Sequence, residues 1–176
     1  MANDISDLPR LALSVRQPSA WAIIHGGKDI ENRTEGSVRA GRMTTGRICI
    51  HAAIGLKASE YEWSIFKMAK TNTKVPPPDH LIRRAIIGTV EVVDFVTQSD
   101  SPWYGGKVGL VLRDPVAIAP IPCSGALGYF EWAPDGKIAE PLPWMKAWGR
   151  KDDDGITGSL FDDLPRAFKS EPPRPY

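Results

Sequence analysis

The chain has 176 residues, with 22 Lys and Arg against 21 Asp and Glu and a net charge of +1. That length suits one domain that can bury roughly 70% of its unfolded surface without disulfides or metal. The near-neutral balance excludes a globally basic nucleic-acid binder and leaves a local basic surface open. The 16 prolines are about twice the usual ~5%; they argue against an all-helical bundle and for a small β-rich or mixed fold with many turns. No run approaches the ~18 apolar residues of a membrane span. Residues 1–7 lack a basic region followed by an apolar run, so no secretory signal is expected and the expected location is cytoplasmic. Cys49 and Cys123 are too far apart for a CxxC half-site, so no zinc is expected, and two buried free thiols are the expectation for a reducing compartment.

Residues 1–10 are polar, and Leu11 to Val15 alternates as a first strand. Pro18 then opens a helix of about two turns over Ala20 to Ile24, which Gly26-Gly27 stops. Lys28 to Arg33 reads as a short extended segment, and the Gly/Arg/Thr-rich stretch 34–46 as a loop. Gly46 to Ala53 is a strand with Ile48 and Ile50 on one face and Cys49 and His51 on the other. Tyr61, Ile65 and Met68 recur at helical spacing, which predicts a helix over 56–70 whose wet face carries Lys57, Glu60, Lys67 and Lys70. The proline-rich stretch 71–79 is an extended connector. Ala85 to Val96 is the longest strand candidate, with Gly88 marking a bulge or a close approach.

A loop over 99–106 carries Trp103 and Tyr104. Residues 108–112 and 116–118 then read as two strands broken at Asp114-Pro115, residues 120–125 as a rigid turn, and 128–132 as a closing strand. Trp144 and Trp148 stand at helical spacing and are expected to pack. The composition of 150–176, with Lys151-Asp152-Asp153-Asp154 and few apolar groups, predicts a polar, flexible tail. Strand, short helix, strand, helix and a run of strands make an α+β pattern able to close into a small barrel.

The block from Arg16 to Arg33 concentrates chemistry around one short helix: Arg16 and Gln17 before it, Lys28, Glu31 and Arg33 after it. Residues on both sides of so short a helix can converge on one pocket mouth, where Glu31 orients Lys28 for proton transfer. A surface ion pair, worth about 0–1 kcal/mol, is the alternative. Residues 10–53 carry seven basic and three acidic side chains, a local net of +4. The Arg-rich loop, with Arg42 and Arg47, is placed to contact phosphates. Trp103, in a polar loop, is a candidate for stacking on a base, and Trp21 a candidate that fits core packing better. His51 either faces the cleft or is a hydrogen-bonded structural histidine. No residue set reads as a metal or cofactor site.

Arg16-Gln17-Pro18, Trp21-Ala22 and Gly26-Gly27-Lys28-Asp29-Ile30-Glu31-Asn32-Arg33 resemble the signature of the ASCH domains, G-x-K-x-x-E-x-R. Gly46 to Ala52, Ile87 to Val90, Ser101-Pro102-Trp103 and Pro120 to Gly125 extend the resemblance, in order, from about Leu11 to Trp132. It implies a PUA-like fold, a small, mostly antiparallel β-barrel with one or two packed helices, over residues 8–149. It implies a cleft beside the signature helix that binds RNA, single-stranded nucleic acid or a modified nucleoside.

Some members of the family are similar to amidohydrolases acting on N4-acetylcytidine through a lysine, a threonine and a glutamate. Lys28 matches that lysine, but Glu31 stands in the threonine's place, which argues against a covalent threonine mechanism. Other members look like ribonucleases. Whether the chain is an enzyme stays open at this point: the alternatives to binding are a hydrolase with Lys28 and Glu31 as its acid/base pair, and a non-enzymatic interaction module using the tail.

Overall fold

The computed structural model describes residues 5–149. Among them, β-branched and alternating segments form β1 (Leu11–Val15), β2 (Ile30–Arg33), β3 (Gly46–Ala52), β4 (Ala85–Val96), β5 (Val108–Pro122) and β6 (Tyr129–Glu131). These make one six-stranded sheet in the order β2-β5-β4-β3-β1-β6. β1 and β3 run parallel, and the other pairings are antiparallel. The helices are α1 (Ser19–His25), α2 (Glu35–Ala40), α3 (Ala58–Ala69) and α4 (Pro143–Ala147). The class is α+β, with the sheet curled into a half-barrel.

The curl has a local cause. The β4–β5 ladder shifts register between Ile86 and Gly88, between Thr89 and Glu91, and between Val92 and Asp94, and β3–β4 shifts between Ile50 and His51. Each bulge bends its strand and adds right-handed twist. One face of the sheet buries Leu13, Val15, Ile48, Ile50, Val90 and Val92 against Ile23 and Ile24 of α1. The opposite face buries Ala12, Cys49, Ile86 and Cys123. Both cysteines are buried and free, as expected of thiols in a reducing compartment. A third cluster joins Leu56, Tyr61, Leu81 and Met145 with Trp21, Trp144 and Trp148. The Tyr61 and Trp148 rings meet edge-on at 5.0 Å, so the two late tryptophans pack as expected.

Three readings need correction. Residues 35–40 are helical rather than loop, because Thr34 Oγ1 accepts the Ser37 N–H at 3.1 Å and caps a single short helix. Residues 108–118 form one strand, not two. Asp114, at φ +49°, and Pro115 fall between Arg113 and Val116, whose partners Glu91 and Thr89 have one residue between them. A proline without an N–H and a left-handed aspartate therefore occupy the bulge instead of ending the strand. Residues 120–122 likewise continue β5, Pro122 opposite Ala85. β2 pairs only with residues 108–111 of β5, so the later half is an edge where prolines break no second ladder. No helix among the described residues is long and apolar enough to cross a membrane. The expected tail at 150–176 lies outside the described residues.

Candidate functional site

The turn that ends α1 delivers the first site residue. Gly27 adopts φ +71°, a conformation cheap only for glycine, and the Lys28 N–H closes onto Ala22 O at 3.0 Å. Gln17, 3% exposed, fixes the other end of the helix: its Oε1 accepts the Trp21 N–H at 3.0 Å and its Nε2 donates to Ile82 O at 2.7 Å. Gly88 lets α1 lie on the sheet, since a Cβ there would stand 2.6 Å from both Ile24 Cδ1 and Val116 O.

Lys28 then folds back over the start of β2. Its Nζ donates to Ile30 O and to Glu31 Oε2, the latter at 3.0 Å, and lies 5.9 Å from the centre of the Trp103 ring, within cation–π range. Glu31 and Arg33, two apart on β2, share a face, and Arg33 Nη2 sits 3.2 Å from Glu31 Oε1 and donates to Ser14 O. Burial alone pushes the Glu31 carboxyl up, but the Lys28 ammonium and the Arg33 guanidinium, with their hydrogen bonds, outweigh it and hold the group below its ordinary value. The side chains of Lys28 and Glu31 are only 6% and 11% exposed, so this is a buried ion pair rather than a surface one.

The pair forms the floor of a cavity of about 310 Å³. One wall is α3, through Trp63, Ser64, Lys67 and Met68; the other is the loop carrying Pro102, Trp103, Tyr104 and Gly105. The loop is tied to β2 and the residue before it. Asn32 Nδ2 donates to Trp103 O at 2.8 Å, and the Gly105 N–H donates to Asn32 Oδ1 at 2.9 Å. Ser101 Oγ donates to Asp29 Oδ1 and accepts the Trp103 N–H. Trp103 is thus placed over Lys28 by fixed polar links.

Of the residues singled out in the sequence, Lys28, Glu31 and Trp103 line this cavity, and Arg33 stands behind Glu31. The others are elsewhere. Arg16 pairs with Glu60 on the exposed side of α3. Gln17 is spent on holding α1. Arg47 is engaged by Glu91, Thr89 and Asp114 O. Arg42, at φ +48°, follows the end of α2 and is not among the cavity residues. Three of the seven basic groups of residues 10–53 are therefore met by acids from later in the chain: Arg16 by Glu60, Arg47 by Glu91 and Arg10 by Glu131.

His51 is 2% exposed and has the structural placement rather than a cleft-facing one. Cys123 O only accepts, so the ring proton sits on Nε2, 3.1 Å away, and Nδ1 accepts from Ser14 Oγ at 2.9 Å. Burial lowers its pKa; the Cys123 carbonyl opposes that shift and Arg84 adds to it. Gly125 covers the Ser14–His51 pair so closely that a Cβ would lie 2.5 Å from the ring. Among the described residues, no group of three or more His, Cys, Asp or Glu side chains is placed to hold a metal.

Sequence reasoning missed Trp63, Lys67, Tyr104 and Asn32 as cavity residues. Lys67 was readable only as a solvated helix position and Tyr104 as a loop neighbour of Trp103. Asn32, inside the Lys28–Arg33 block, gave a local signal that composition could not interpret.

No family model matches the chain, and no curated protein matches it.

Proposed function

We propose that the chain is an ASCH-type, PUA-like domain that binds RNA, single-stranded nucleic acid or a modified nucleoside, with one base seated between α3 and the Trp103 loop. The observation that carries this reading is a cavity lined by aromatic groups from two elements, Trp63 of α3 and Trp103 and Tyr104 of the loop, together with the buried Lys28–Glu31 pair. Aromatic walls suit the faces of a planar heterocycle, and a floor holding both a cation and a carboxylate suits its hydrogen-bonding edge. The curled sheet of mostly antiparallel strands supports the PUA-like barrel, and the convergence of Lys28, Glu31 and Arg33 gives the G-x-K-x-x-E-x-R pattern a physical purpose. A volume near 310 Å³ lies at the lower end of the range for small-molecule sites.

The hydrolase alternative draws less support. A general base works best with a pKa near the working pH, whereas two cations hold Glu31 low. The interaction role assigned to the tail concerns residues outside those described.

Fluorescence titration at low salt with single-stranded RNA, single-stranded DNA and N4-acetylcytidine tests the reading, with chromatography of each mixture for products. Binding by the unaltered chain, weakened about 10- to 100-fold by Trp103→Ala, is the expected result. Absence of binding to all three would overturn it. Product formation with turnover abolished by Lys28→Ala and binding retained would replace it with the hydrolase reading.

A further inference from the structure

We infer that the outward face of α3 is a second subsite, which takes the nucleotide next to the one in the cavity, so that the ligand is a single strand rather than a free nucleoside. This rests on the base-binding reading of the cavity and adds to it a surface that the cavity does not include. Trp63, Phe66, Lys67 and Lys70 stand at spacings of three, four and seven along α3 (Ala58–Ala69) and its C-terminal cap, the pattern of one continuous helical stripe. Their roles divide along it. Trp63 and Lys67 line the cavity wall. Phe66, outside the cavity, is 50% exposed and lies against Trp63 with ring centres 5.8 Å apart and planes inclined by 26°. Lys70 Nζ stands 5.7 Å from the centre of the Phe66 ring.

A helix in a domain of this size normally turns one apolar stripe inward, and α3 does so with Tyr61, Ile65 and Met68. The Trp63–Phe66 pair is a second apolar stripe with cations beside it. Burial of an internal core does not call for it. It begins at the cavity rim and continues away from it, which is the path a strand takes when one base enters the cavity and its neighbour remains outside.

Stacked or offset aromatic rings give a base a sequence-tolerant platform, and flanking ammonium groups meet the connecting phosphate. Lys67, between cavity and platform, is placed for the phosphate that joins the two nucleotides. The surface is continuous with the base site and complementary in charge to a phosphodiester, which selects a single-stranded nucleic acid as its occupant.

The test compares the four nucleoside 5′-monophosphates with mixed-sequence five-nucleotide RNA and DNA, on the full chain and on its Phe66→Ala and Lys70→Gln variants. Both positions are solvent-facing, and thermal melts of the variants confirm that they fold. The pentanucleotides should bind at least tenfold more tightly than any monophosphate. Phe66→Ala should weaken pentanucleotide binding about tenfold while leaving monophosphate binding unchanged. Lys70→Gln should lower the slope of log affinity against log salt by about 0.7. Equal affinity for monophosphate and pentanucleotide, with Phe66→Ala without effect on either, would overturn the subsite and leave the cavity reading standing. Failure of every probe on the unaltered chain would overturn the cavity reading and the subsite with it.

Discussion

Glu31→Gln is the sharpest perturbation of the buried ion cluster. The substitution keeps the size and an oxygen acceptor but removes the charge that faces Lys28 Nζ at 3.0 Å and Arg33 Nη2 at 3.2 Å. Breaking a buried pair from one side typically costs about 3–5 kcal/mol, because the remaining charge stays desolvated. Two facts about this site place the cost at the lower end. Arg33 is 21% exposed and so retains some solvent, and Lys28 keeps its bond to Ile30 O. We expect a loss of about 3 kcal/mol, which for a chain of this length corresponds to a fall in Tm of about 6–12 °C.

Urea denaturation at several pH values gives both the size and the origin of the effect. The carboxyl is held below its ordinary value near 4.5 in the folded chain. As pH falls below that value, the unfolded chain takes up the proton first, so the stabilisation is fully present above pH 4.5 and is lost as pH approaches the folded value. The difference between the unaltered chain and Glu31→Gln should therefore be constant near neutrality and shrink below pH 4.5. A loss under about 1 kcal/mol at pH 7, or a difference that does not change with acid, would refute the argument.

Two other outcomes follow from the packing. Gly88→Ala drives a methyl group into Ile24 and the Val116 carbonyl and should cost about 1–3 kcal/mol, readable as a fall in the urea midpoint; an unchanged midpoint would mean that α1 does not rest on β4 as described. His51 is held neutral by burial, with its pKa below the ordinary 6.5, so the unfolded chain binds more protons below that pH and the fold loses stability as pH falls from 6.5 toward the folded value. The stability advantage of the unaltered chain over His51→Gln should shrink between pH 7.5 and 5 in chemical denaturation, and a constant difference would count against a neutral buried ring.

Much of this fold was legible because local pattern and tertiary role agree. The alternation of Leu11 to Val15 buries Leu13 and Val15, the β-branched run from Ala85 to Val96 is buried without a break as far as Val90, and the helical spacing buries Tyr61 and Met68. Legibility failed where the partner is remote. Pro115 signals a strand end locally, yet it sits in a bulge because β4 offers one residue opposite two. α2 has no apolar period to announce it and depends on the Thr34 cap. The same division holds at the site. Lys28, Glu31 and Arg33 are close in sequence and converge, whereas the wall supplied by Trp63 depends on where α3 lies, which its own residues do not encode. Arg10, Arg16 and Arg47, grouped in the sequence, take their acidic partners from far along the chain, Glu131, Glu60 and Glu91, whereas Arg33 pairs with Glu31 at the site.

The place of β6 in the sheet sets an order of events during synthesis. β1, near the start of the chain, finds its antiparallel partner only in residues 129–131. Until these leave the ribosome, one side of β1 is an unpaired edge, with Leu11 exposed even in the finished fold. A nascent chain stalled after β5 thus presents a strand edge that another copy can extend. Ribosome-bound chains ending before Tyr129 should recruit holdase chaperones, and release of those chaperones should coincide with emergence of the Tyr129–Glu131 segment.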